Sequence, residues 1–202
     1  MTKRTISMLL ALSTLLGCQT AMTANSDEAA RSAQGFTQSA SEKVTWFDGQ
    51  RQRSAWVSER EFAEFGQALS ASEAGAELEK ESRGVRLWLS RDDAPGRVRS
   101  LRAKAVRAKL SPVFYQYRDG GPRMALAGNI LVRFKADWDI GRIEAWAADH
   151  QLKLLKPVLK SRNIYLIESE PGMASLELAN EIHRSGEVVY ATPNWWRETY
   201  LK

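Results

Sequence analysis

From Gly128 onward the hydrophobic period of this chain switches in a regular order, and no other feature narrows its fold as much. Asn129 to Lys135 alternates like a strand, with Ile130, Val132 and Phe134 on one face. Asp139 then fits the N-cap of a helix that carries Ile140, Ile143 and Ala147 on one side with Trp146 beside them. Leu152 to Leu159 reads as a second strand, and Pro157 within it argues for an edge position or a bulge. Ile164 to Ile167 is a third. Ser175 is the expected cap of a second helix bearing Leu178, Ala179 and Ile182, with Gly186 as its C-terminal stop. Val188, Val189 and Tyr190 form the expected fourth strand.

Strand, helix, strand, strand, helix, strand within about 70 residues predicts an α+β fold. The expected C-terminal unit, 122–202, is a ferredoxin-like β-α-β-β-α-β domain with both helices on one face of an antiparallel sheet. Ile164, Tyr165, Leu166 and Ile167 do not alternate, so both faces of that sheet should be covered, by the N-terminal half or by another protein. An internal repeat extends the plan. Leu110-Ser111-Pro112-Val113 precedes Gly120-Gly121 as Ala191-Thr192-Pro193-Asn194 precedes the C-terminus. Upstream lie a strand at 84–90, a basic helix from Pro95 to Lys104 and a strand at 61–65. Residues 44–119 are therefore expected to form a shorter, degenerate α+β domain of similar plan.

The first residues carry an address. Lys3 and Arg4 precede an apolar run from Ile6 to Leu16, eleven residues against the about 20 that a spanning helix needs. Residues 1–17 read as a signal peptide. Leu15-Leu16-Gly17-Cys18 resembles the bacterial lipobox, which predicts a lipid on Cys18, and Gln19 rather than an aspartate after it implies the outer membrane. The alternative is a soluble periplasmic or secreted protein, although Met22-Thr23-Ala24 makes a poor conventional cleavage site. Residues 18–43 then form a lipid-anchored flexible tether, poor in large apolar groups. Loss of Lys3 and Arg4 takes 29 basic residues to about 27 against 24 acidic, so part of the basic balance belongs to the leader.

The run from Asn129 to Asn194 resembles the propeptide domain of subtilisin-like serine proteases, particularly the fervidolysin-type prodomain. The residues that carry the resemblance are the Ile130-Leu131-Val132-Arg133-Phe134-Lys135 opening and the closing Val189-Tyr190-Ala191-Thr192-Pro193-Asn194, whose motif residues are Tyr190, Ala191, Pro193 and Asn194. With an export signal and a further N-terminal domain, the chain is similar to the external chaperones of such proteases, as in Aeromonas. The resemblance implies a subtilisin-like serine protease as partner. It also implies that Glu198, Thr199, Tyr200, Leu201 and Lys202 lie product-like in the protease cleft, with Lys202 in the primary specificity pocket, Leu201 beside the catalytic histidine and Thr199 in the fourth pocket. The alternative is a frayed C-terminus.

Catalytic chemistry is not legible. Gly172-Met173-Ala174-Ser175 lacks the serine before Met173 that a subtilase nucleophile region carries, and His150 and His183 fall near the ends of the expected helices. Asp92-Asp93 most simply caps the helix that follows. One cysteine and two histidines do not make a structural zinc site, and no cofactor is implied. The basic run Arg97, Arg99, Arg102, Lys104, Arg107 and Lys109 reads as a solvated face, because Ile130 to Lys135 lacks the base-stacking aromatics of an RNA-binding sheet. The expected function is therefore non-enzymatic: a periplasmic chaperone and inhibitor of a subtilisin-like protease, touching the membrane only through its anchor and binding no nucleic acid. The alternative is a lipid-anchored interaction module of the cell envelope unrelated to proteases.

Overall fold

The strand expected to open at Asn129 in fact begins nine residues earlier. One strand, β6, runs from Gly120 to Arg133 and passes through Gly128 without ending. Gly128 sits at φ +99°, and a Cβ there would stand 2.7 Å from the Ser169 carbonyl oxygen. It marks a bulge where two backbones meet, a role easily mistaken for a strand boundary. The carbonyls around the bulge are used: Leu126 O accepts from Gly172 N at 2.9 Å and Gly128 O from Ser169 N at 3.2 Å.

The computed structural model describes residues 40–66, 68–91, 94–104 and 108–199. In order these hold β1 (Ala40–Asp48), β2 (Arg51–Phe65), α1 (Ala71–Ala74), β3 (Ala76–Ser82), β4 (Val85–Ser90), α2 (Ala94–Lys104), β5 (Lys109–Tyr117), then β6, α3 (Ile140–Asp149), β7 (Leu154–Leu159), β8 (Ile164–Glu168), α4 (Met173–Ser185) and β9 (Tyr190–Arg197). The strands form one antiparallel sheet ordered β3-β4-β2-β5-β6-β8-β7, with β1 on β2 and β9 on β6. This corrects the expected fold class. The described residues are mostly β, a single nine-strand sheet with four helices, in place of a ferredoxin-like domain joined to a smaller α+β domain. The physical reason is β6, which pairs with β5 through its first half and with β8 through its second. The expected boundary at 119–122 falls on the β5–β6 turn, inside the compact unit Gln38–Lys202.

Local signals place the helices. Asp139 accepts from Arg142 N at 2.8 Å and caps α3, and Gly186 closes α4 in the left-handed conformation. Ser175 is not the α4 cap. It lies in the first turn, buried, donating to Glu170 O at 2.6 Å, while Gly172 occupies the cap position. The last strand is longer and later than the expected Val188–Tyr190, and β1 begins at Ala40, inside the expected tether. Asp92, Asp93 and Arg107 lie outside the described residues, as do the side chains of Arg102 and Lys104.

Both α3 and α4 pack on the Ile130–Val132 side of the sheet. Phe134 centres that core, with ring centroids 5.6 Å from Trp138, 5.1 Å from Trp146 and 5.9 Å from Tyr165. The β1–β2 hairpin closes over α4 and β9: Trp46 meets Trp195 at 4.8 Å, Phe47 stacks on His183 at 3.9 Å, and Asn180 Nδ2 donates to Thr45 O at 2.8 Å. The N-terminal half thus covers the helical side of the C-terminal half. The opposite side of strands β6, β8 and β9 carries none of the four helices.

Candidate docking face and tail anchor

Alternation along β8 and β9 sorts the side chains of that end of the sheet. Ile167 and Tyr165 of β8, and Ala191 and Pro193 of β9, are buried toward the helices. Leu166 and Ile164, with Tyr190, Thr192 and Asn194, point the other way and are half-buried. Register brings them together: Leu131 lies opposite Leu166 on one side and Thr192 on the other, while Arg133 lies between Ile164 and Tyr190. Leu131, Leu166, Ile164 and Tyr190 therefore form a largely apolar strip on a hydrogen-bonded sheet surface, with Arg133 set between its last two members. Asn194 Nδ2 donates to Asn129 Oδ1 at 2.6 Å across the β6–β9 pair and fixes the strip's end. The motif Tyr190-Ala191-Thr192-Pro193-Asn194 is explained locally, since Ala191 and Pro193 supply core and Tyr190 and Asn194 supply the open face.

The tail leaves β9 differently from expectation. Glu198 is only 5% exposed, and its backbone N donates to Arg123 O at 2.8 Å. Its carboxylate takes Lys80 Nζ at 2.5 Å and stands 3.6 Å from Arg123 Nη1. Thr199 beyond it is exposed, and Tyr200, Leu201 and Lys202 lie outside the described residues with Cys18. Of the five residues assigned to a protease cleft, the first is an internal anchor.

That anchor belongs to a buried ionic cluster which the sequence reading missed. β2 bulges between Val57 and Phe62, and Ser58 Oγ accepts from Glu61 N at 3.1 Å, turning Glu61 inward. Glu61 accepts from Arg123 Nε at 2.8 Å and from the Tyr115 hydroxyl, while Arg123 Nη2 reaches Glu79 at 2.5 Å. Burial, followed by the charge of Glu61, pushes the Tyr115 phenol well above the tyrosine range. The Arg123 guanidinium is driven further into its charged form by Glu61 against the opposing effect of burial. Tyr115 stays a donor and Arg123 a cation, and the cluster ties the strands that carry it together. It joins β2, β3, β5, β6 and the end of β9. The Ser58-x-x-Glu61 spacing is the one sequence signal that points to it.

No protein-family model, curated protein or solved structure matches this chain. Among the described residues there is no group of three or more His, Cys, Asp or Glu placed to hold a metal ion, and no helix is long and apolar enough to cross a membrane. His150 caps α3, with Nδ1 2.8 Å from Trp146 O and Nε2 3.1 Å from Glu187. His183 packs under Phe47, and burial first and Arg184 second hold its imidazole below the usual histidine range. Arg97 is half-buried in α2, whereas Arg99 and Lys109 are exposed.

Proposed function

We propose that this chain is exported and acts in trans as a folding chaperone and inhibitor of a subtilisin-like serine protease. The observation that carries the reading is the apolar strip Leu131–Leu166–Ile164–Tyr190 on a sheet face that none of the four helices covers. A rigid, twisted sheet surface of this kind fits surface helices of a partner. A preformed template of that kind lowers the barrier to folding a large parallel α/β protein, whose non-local contacts close late. Strand β9 runs along the same surface and hands the chain to the cluster at Glu198, so Thr199 to Lys202 would enter the cleft from a fixed point, pairing as an added strand. The motif residues Tyr190, Ala191, Pro193 and Asn194 belong to the same strand, which supports the likeness to subtilase propeptides. We place the protein in the periplasm, held at the outer membrane through Cys18.

Refolding of an exported subtilase, with and without residues 19–202, tests this directly. Leu131→Asp with Leu166→Asp should abolish both recovery of activity and inhibition, because two carboxylates would have to be desolvated at the contact. Deleting Thr199–Lys202 should abolish inhibition while leaving much of the folding assistance. Lys202→Asp should weaken inhibition of a protease that accepts basic residues. A face variant that assists and inhibits as well as the parent would sink the proposal and favour an envelope module unrelated to proteases.

A further inference from the structure

We propose that the β7 edge and the turn after it form a contact site for an anionic phospholipid surface. Leu155, Val158 and Leu159 are 41%, 53% and 42% exposed, three of the six exposed large apolar side chains of the described residues. Around them Lys156, Lys160 and Arg162 are exposed and make no ion pair among the described residues, and the stretch 151–163 contains no acidic residue. The nearest carboxylate across the β7–β8 pair, Glu168, is taken by Lys153 at 2.9 Å. This edge of the sheet therefore exposes aliphatic and cationic side chains together, with no acidic residue among them.

A strand partner does not fit this edge. Pro157 has no N–H to offer, and register slips at Leu154/Lys156 and at Pro157/Leu159 break the regular ladder that an added strand needs. Edge protection accounts for the lysines and the proline. It does not account for three aliphatic side chains held in water beside them. Aliphatic tips that enter the headgroup boundary, with cations on the lipid phosphates, account for both. The patch borders the strip of the protease reading, since Lys156 pairs with Leu166 and Leu159 with Ile164, but it includes none of Leu131, Leu166, Ile164 or Tyr190, so variants of the two surfaces can be read separately.

The chain from Gln19 onward is the probe, since it keeps all of the compact unit Gln38–Lys202 and lacks both the apolar leader and Cys18. Co-sedimentation with vesicles of phosphatidylglycerol and phosphatidylcholine, against phosphatidylcholine alone, should show binding to the first only, weakened by salt. Lys156→Gln, Lys160→Gln and Arg162→Gln together should lower partitioning about 100-fold. Leu155→Ser with Val158→Ser should also lower it while sparing part of the charge-driven capture. Unchanged circular dichroism and melting would show that each variant is folded. Indifference of anionic vesicles to the parent protein would overturn the site. So would capture by polyglutamate that matches the vesicles and ignores the Leu155 and Val158 changes, which points to an acidic protein partner.

Discussion

The two longest strands, β2 and β6, solve one geometric problem with opposite chemistry. Each keeps a single partner along one edge, β5 for β2 and β9 for β6, and changes partner on the other edge at a bulge. β2 passes from β1 to β4 and β6 from β5 to β8. At the β2 bulge the backbone turns on Ser58 and Glu61, and the inward carboxylate is held by Arg123 and Tyr115. The β6 bulge turns on a missing side chain instead. Gly128 admits the 169–172 segment to backbone contact and so aims the start of α4. A bulge needs only a local reason to leave the ladder and partners for the groups it frees. An ionic cluster and a missing Cβ both suffice, but they fail under different perturbations.

The largest effect should come from the ionic bulge. Arg123→Leu leaves Glu61 and Glu198, each with a side chain 2% exposed, without their shared cation. A loss of about 3 to 5 kcal/mol in urea unfolding is expected. Glu61→Leu combined with Arg123→Leu should recover part of that loss, because the unpaired charge goes too. Additive costs in the double variant would break the cluster model. Tail release is the related local readout: Glu198→Gln should speed protease clipping after Arg197 while the rest of the sheet stays protected.

The glycine bulge should cost less. Gly128→Ala combines a positive φ with a Cβ 2.7 Å from Ser169 O, so about 1 to 3 kcal/mol is expected. Gly84→Ala is the control, since its φ is +74° and nothing lies within 4 Å of the added Cβ. The difference between the two isolates the close approach. Equal costs would mean that the 169–172 segment yields, and that contact at the β6 bulge does not aim α4.

The smallest effect is a pH dependence at the seam between β1 and α4. His183 titrates lower folded than unfolded, so the unfolded chain binds its proton first. Stability should be full above about pH 6.5 and fall as pH drops through the histidine range. His183→Gln should flatten that part of the melting-temperature profile. An unchanged slope in the variant would place the acid sensitivity elsewhere.

Much of the local structure is legible in the residues themselves. The Asp139 cap, the Gly186 stop, the apolar spacing of Ile143 with Ala147 and of Ala179 with Ile182, and Pro157 on an edge strand follow from short-range chemistry, where side chain and backbone meet within a few residues. The half-legible feature is the open face: the unbroken Ile164–Ile167 run signals apolar groups on both sides of β8 without naming what lies over each. Long-range pairing is not legible. Gly128 looks the same in sequence whether it ends a strand or bulges within one, and only the approach of Ser169, about forty residues away, decides. Glu61, Arg123 and Glu198 look like surface charges until β2, β6 and β9 come together and exclude water around them. Period and capping depend on neighbours along the chain and are determined by the sequence alone. The nine-strand sheet, its buried ions and the anchoring of Glu198 depend on which distant segments desolvate one another, and only the tertiary structure decides that.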